Sequence, residues 1–290
     1  MATIGVPRST YATWKNRFGK PNEHNGTIPR DWWLTESEKK AIVDFHDDHP
    51  LEGYRWLTYM MMDADVVVAA SATTYRVLKE AGRMGRPNKT DSKKGKGFSQ
   101  PQKPHQHWHV DISYINCGGT FYYLITVLDG YSRMIVHHEL RESMTELDVE
   151  IVCQRALEKH PGVKPRIISD NGPQFIAMDF KALVKQSGMT HVKTSPYYPQ
   201  SNGKLERWHG SLKSECIRPL CPRTHDEAVA KIAEYVEHYN TVRLHSGIGY
   251  VTPADRMAGK SEAIHAERDR KIVEAHARRK AEAKAARRAA

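Results

Sequence analysis

The chain has 290 residues, 39% hydrophobic and 27% charged, an ordinary composition for a globular protein with one sizeable core and one or two small modules. No apolar run is long enough to span a bilayer and no signal-peptide core opens the chain, so a membrane role is not expected and a cytoplasmic location is. Lys and Arg exceed Asp and Glu by 10, with a pI of about 9.3, which favours a polyanionic partner without separating DNA from RNA or an anionic lipid surface.

The basic excess is concentrated. Residues 82–105 hold seven Lys or Arg against the single acid Asp91, and residues 259–290 hold ten against five. The four cysteines, Cys117, Cys153, Cys216 and Cys221, are too scattered for a disulfide framework and contain no CxxC pair. His46 and His49 have a ligand-like spacing, but with no cysteine pair nearby they are expected to form a polar helix end rather than a zinc site.

Residues 1–82 read as helical. Thr35 with Glu38 three residues later forms a capping box, followed by apolar Ile42, Val43 and Phe45. A second helix over 53–62 carries Tyr54, Leu57 and Met61, and a third begins near Ser71, carries Tyr75, Val77 and Leu78 and stops at Gly82. Residues 35–82 thus fit a helix-turn-helix in which Ser71, Thr73, Thr74 and Arg76 reach DNA, or equally a plain three-helix bundle. The segment from Pro7 to Tyr11, ahead of Trp14, suggests one more short helix. Residues 83–104, rich in Gly, Pro and Lys, read as a basic flexible linker.

Residues 105–258 change character. Three strands in succession, around 110–116, 121–128 and 134–140, form a meander with short turns. Ser143 with Glu146 is read as the next helix start, with Leu147, Ile151 and Leu157 as its apolar stripe. A buried strand, Arg166-Ile167-Ile168-Ser169, then delivers Asp170 to an Asn171-Gly172 turn. A helix over 173–186, a strand over 190–194, a helix starting near residue 201 or 202 and another over 225–240 follow, an α/β order. Residues 259–290 read as a basic helix that lies along DNA or is merely solvated.

Three carboxylates stand out within this pattern. Asp111 lies inside an apolar strand with Val110 and Ile112 directed to the other face, and an unpaired carboxylate there is costly. Asp170 ends the fourth strand, and Glu206 falls on a helix 35 residues further on. Asn202, Glu206 and Lys213 share a helical stripe, the lysine about 10 Å beyond the glutamate. Carboxylates converging from separate elements suit two divalent ions about 3.5–4 Å apart, of the kind that cleave phosphodiesters, and magnesium suits such hard oxygen donors.

The strings Trp108-His109-Val110-Asp111-Ile112-Ser113, Ser169-Asp170-Asn171-Gly172-Pro173-Gln174-Phe175, and Ser195 through Gly203 with Glu206 resemble the integrase catalytic-core superfamily of retroviral integrases and bacterial insertion-sequence transposases. Tyr239-Asn240 with Arg243-Leu244-His245 is similar to the closing motif of that core. The resemblance implies a ribonuclease-H-like core over 105–258 and a catalytic, metal-binding triad of Asp111, Asp170 and Glu206 with two Mg2+ or Mn2+ ions. It also implies that Lys213 and Asn202 position DNA. The implied activity is cleavage of transposon ends and joining of the freed 3′-hydroxyl to target DNA, by a homodimer or higher assembly on bacterial nucleoid DNA. The likeness is greatest to transposases encoded in the second of two overlapping frames. Leucine-zipper heptads are absent from the start of the chain, so an upstream-frame partner or fusion is expected to complete it. A DNA-binding regulator with an inert core, and a nuclease acting on RNA–DNA hybrids or junctions, are the competing readings.

Overall fold

The computed structural model describes residues 7–18, 30, 32–84, 100–170, 172–176, 178–193 and 203–289. Asn202, Asn171 and the Ser195–Ser201 string lie outside the described residues, as does most of the expected linker.

Four helices come first: α1 (Arg8–Arg17), α2 (Glu36–Asp48), α3 (Tyr54–Asp63) and α4 (Ser71–Glu80). Thr35 and Glu38 form the expected reciprocal capping box at the start of α2. The faces of α2, α3 and α4 close on Ile42, Leu57, Met61, Val77 and Leu78. His46 and His49 finish α2, where the His49 ring bonds the carbonyl of Phe45.

Strands β1 (His107–Cys117), β2 (Thr120–Asp129), β3 (Ile135–Arg141), β4 (Arg166–Ser169) and β5 (Thr190–Lys193) form one sheet in the order β3-β2-β1-β4-β5. The meander β1-β2-β3 is antiparallel, and β4 and β5 run parallel to β1, which is the ribonuclease-H-like arrangement. Helices cover both faces. On one, Val110, Ile125 and Val127 pack against α5 (Glu146–Lys159), α6 (Pro173–Ile176) and α7 (Met178–Gln186). On the other, Ile115, Leu124 and Leu128 meet Leu205, Trp208 and Leu212 of α8 (Gly203–Leu212), and a π-helical turn, Lys213–Ile217, extends that helix. A one-turn α9 (Arg218–Leu220) leads to α10 (His225–Thr241), whose Ile232, Val236 and Tyr239 complete this layer. Trp108 and Trp208, one in each layer, are each 1% exposed, and burial at that level stabilises the fold by roughly 2–3 kcal/mol per side chain.

Two expectations need correcting. The cap of α5 is Thr145 with Asp148, not Ser143 with Glu146; Ser143 donates to the same Asp148 carboxylate, while Glu146 accepts from the Phe180 amide. The core stripe of α5 is Val149, Val152, Cys153 and Ala156, and Leu147, two residues or about 200° away from Val149, is 62% exposed.

After α11 (Pro253–Met257), the long α12 (Ser261–Ala289) does not stand free in solvent. Arg268 forks onto Asp63 at 2.7 and 2.9 Å, Lys271 donates to the Met62 carbonyl and pairs with Asp65, and Arg279 reaches both Glu38 and the Val68 carbonyl. Arg268 and Arg279 are each 4% exposed. The helix is thus docked on α2, α3 and the α3–α4 turn. The N-terminal helices also touch the core directly: Arg243 stacks on Trp56 at 4.6 Å, and Tyr59 stacks on Tyr250 at 4.6 Å.

Candidate active site

Alternation along β1 sets the site. Trp108, Val110 and Ile112 face α5, so His109, Asp111 and Ser113 face the α8 layer, as the strand period requires. The Asp111 carboxylate is 18% exposed and accepts from the Ile112 amide at 3.0 Å. On α8, Leu205, Trp208, His209 and Leu212 are buried at i, i+3, i+4 and i+7 spacing, and Glu206 is left exposed in the first turn.

Asp170 follows β4 and is exposed, its carboxylate accepting from the Gly172 amide at 3.0 Å. The side chains crowd this turn: a Cβ on Gly172 would lie 2.6 Å from Gln174 Oε1 and 3.1 Å from Asp170 Oδ1, so the Gln174 side chain would have to swing aside. Behind the turn, buried Ser169 donates to the Asp170 carbonyl and bonds His191 at 2.8 Å.

Electrostatics ties these elements together. Burial chiefly, then the charges of Asp170 and Glu206, push the Asp111 carboxyl up to about 7, while the Ile112 amide and Lys213 work in the opposite direction. The charges of Asp170, of Glu206 and of Lys213, at the start of the π-helical turn, thus all reach Asp111. His209 Nδ1 sits 3.6 Å from Asp111 Oδ2. The pair is close enough for an ion pair, but burial, then Lys213, lowers the imidazole to about 3, so it is neutral and meets the carboxylate as a dipole. His209 was not singled out in the sequence; its place three residues after Glu206 and four before Lys213 is the signal that marks it.

Carboxylate oxygens are the donors that a hard divalent cation takes, and such an ion relieves the repulsion felt at Asp111. Among the described residues no three acidic, His or Cys side chains are drawn together tightly enough to grip one ion. Residue 171 and residues 194–202, which adjoin Asp170 and precede Glu206, lie outside the described residues. Among the described residues no helix is long and apolar enough to cross a membrane.

The expected DNA-contacting residues of α4 separate. Arg76 is exposed and bonds the Ala72 carbonyl, and Ser71 and Thr73 are half-buried. Thr74 is corrected: it is 0% exposed, its hydroxyl bonded to Thr58 at 3.0 Å inside the helical core, where no DNA reaches it.

The integrase core domain family matches residues 101–199, and a second integrase core family matches 187–253. An uncharacterized 31 kDa protein of insertion element IS600 from Shigella sonnei is 31% identical over 156 residues, covering 53% of this chain and 57% of that protein. The transposase for insertion sequence element IS904 of Lactococcus lactis is 28% identical, over 57% of this chain and 69% of that protein. The chain thus spans little more than half the length of the first relative. Among solved structures, a chain of the simian T-cell lymphotropic virus intasome is 19% identical, covering 74% of each chain with a TM-score of 0.48. The two family matches overlap and together run from residue 101 to 253, so the chain carries an integrase core domain over that stretch.

Proposed function

We propose that the protein is a DNA transposase that nicks the ends of its element and joins the freed 3′-hydroxyl to target DNA by phosphodiester transesterification. What supports this reading is the half-buried Asp111 carboxyl, raised chiefly by burial, with the charges of Asp170 from the end of β4 and Glu206 from α8 both reaching it, inside the stretch matched by the integrase core families.

Asp111, Asp170 and Glu206 would hold two divalent cations, Mg2+ or Mn2+. Such ions, if held there, would supply activation of the attacking water or hydroxyl and charge neutralisation at the leaving oxygen. Asp111 occupies the central position, reached by the charges of both other carboxylates. His209, kept neutral, borders the Asp111 carboxylate at 3.6 Å without cancelling its charge. Lys213 brings a positive charge to the same face and, with Asn202, positions a phosphate of the end DNA. Ser71, Thr73 and Arg76 contribute to DNA binding from the N-terminal module, with the exposed Arg76 the most accessible of them.

Pairing of two element ends calls for a homodimer or larger assembly on DNA, with an upstream-frame partner or fusion, acting on nucleoid DNA in the cytoplasm. The test uses duplexes made from the two DNA segments that flank the gene. With magnesium, the wild-type protein should release 3′-hydroxyl ends and form joined strands, and Asp170→Asn should do neither. Equal activity of the two proteins would overturn the metal mechanism. Binding without cleavage by both would point to a DNA-binding regulator, and faster cleavage of an RNA–DNA hybrid would point to a nuclease.

A further inference from the structure

A second cationic feature lies away from the three carboxylates. The β2–β3 turn, residues 130–134, faces the loop of residues 246–249 and the short helix α11 across an open cavity of about 460 Å3. Arg133 enters it from the turn and Arg256 from α11, and no Asp or Glu among the described residues lines it.

The turn is rigid. The Asp129 carboxylate accepts from the Ser132 amide and hydroxyl, each at 2.7 Å, and from the His105 amide at 2.8 Å. Lys204, from the first turn of α8, donates to the Gly130 carbonyl at 2.8 Å. Arg133 itself has a φ of 68°, left-handed backbone that an arginine rarely adopts, and holding a side chain there points to a use for its position. The opposite wall is equally tied down. His265 donates to the Gly249 carbonyl at 2.9 Å, and a Cβ on Gly249, whose φ is 84°, would lie 2.9 Å from the His265 ring.

Neither guanidinium has a carboxylate partner among the described residues. Arg256 lies over the Tyr131 ring at 4.3 Å, which fixes its plane, and its Nε is buried with no hydrogen-bond acceptor among the described residues. Arg133 sits near a further cation, Arg207, and the nearest acid it senses, Asp129, is already occupied by the turn. Two preorganised guanidinia in an open cavity without acids make a planar, multidentate anion receptor, the geometry that arginine offers to phosphate.

We propose that Arg133 and Arg256 form a cradle for one phosphodiester of the DNA backbone, a contact separate from the carboxylate centre. Lys204 joins the two places mechanically: it is two residues from Glu206 and its ammonium holds the cradle's floor at Gly130. A phosphate gripped there sets the register of the duplex relative to α8 without reading its sequence.

This inference rests on DNA being the substrate, and one experiment separates the two. The full chain, in EDTA, is titrated into a short duplex of arbitrary sequence at several salt concentrations. Salt-dependent binding by the wild type tests the DNA reading alone. The cradle predicts that Arg133→Gln/Arg256→Gln binds about tenfold more weakly at low salt and that its plot of log K against log salt is shallower by about 0.9, the loss of one phosphate contact. The charge-keeping Arg133→Lys/Arg256→Lys should restore most of that slope, and Lys185→Gln, on exposed α7 surface, should leave it unchanged. The same slope in wild type and the Gln double variant, or an equal loss from Lys185→Gln, overturns the cradle even if the protein binds DNA well. Binding of inorganic phosphate that is lost in the Gln double variant, with no change in the duplex slope, would make the cavity a site for free phosphate and also overturns it. Thermal melting of each variant shows that the fold is retained, and the Lys double variant keeps the test decisive if the Gln variant melts early.

Discussion

Replacing Asp111 with Asn should stabilise the ion-free protein. Burial, with Asp170 and Glu206 behind it, raises the Asp111 carboxyl from the ordinary 3.8 to about 7. The folded state thus binds a proton that the unfolded chain has released, and stability falls as the pH rises from about 4 to about 7. Above that range, keeping the group charged costs roughly 4 kcal/mol relative to the unfolded chain, the free-energy equivalent of that pKa difference. Asn has the same shape, still accepts from the Ile112 amide and carries no charge, so Asp111→Asn should recover roughly 2–4 kcal/mol at about pH 8. The gain should shrink as the pH falls toward 4, where the aspartate is neutral in the fold. Urea unfolding in EDTA at several pH values measures this, and added magnesium should then stabilise the wild type and not the variant. An Asn variant less stable than the wild type at about pH 8, or one with the same pH slope between 4 and 7, would refute the reasoning.

Other perturbations test other parts of the account. Arg279→Met removes the paired donors to Glu38 and the bond to the Val68 carbonyl and should cost roughly 2–4 kcal/mol, with α12 cleaved faster in limited proteolysis. Burial raises the Glu38 carboxyl, but Arg279 and the Thr35 cap outweigh it and leave it below the usual 4.5, so its contribution is present above that value and lost as the pH falls through the folded pKa. Removing the arginine should weaken that acid dependence in the unfolding curves. Thr74→Val should lower stability by about 1 kcal/mol with DNA affinity unchanged, and Arg76→Ala should do the reverse; a drop in affinity from Thr74→Val alone would restore that residue to the DNA face.

The catalytic core was readable because two short periods control it. Strand alternation sends Asp111 to the face opposite Val110 and Ile112, and the helical period of α8 separates exposed Glu206 from buried Leu205 and Leu212. The same periods misled where a second signal competed. Ser143 and Glu146 mimic a cap that Thr145 and Asp148 actually make, and the apolar spacing of Leu147 and Ile151 competes with the buried stripe of Val149, Val152, Cys153 and Ala156. Thr74 looks polar in a one-letter string, but its hydroxyl finds Thr58 on another helix. What no local pattern encodes is long-range pairing. The charges of α12 read as a solvated or DNA-bound face, while Arg268 seeks Asp63 at a separation of 205 residues. Arg133 and Arg256 likewise belong to unrelated stretches of sequence and meet only in the fold.

The most direct test of the central claim is the single-turnover rate of end nicking in magnesium for Asp111→Asn, Asp170→Asn and Glu206→Gln, with duplex affinity measured in parallel. If the three carboxylates form one metal-dependent centre, each substitution alone lowers the rate by at least about a thousandfold, with affinity within a few-fold of wild type and little further loss on combining them. A variant that nicks at the wild-type rate would remove its carboxylate from the centre, and activity in all three would contradict the account.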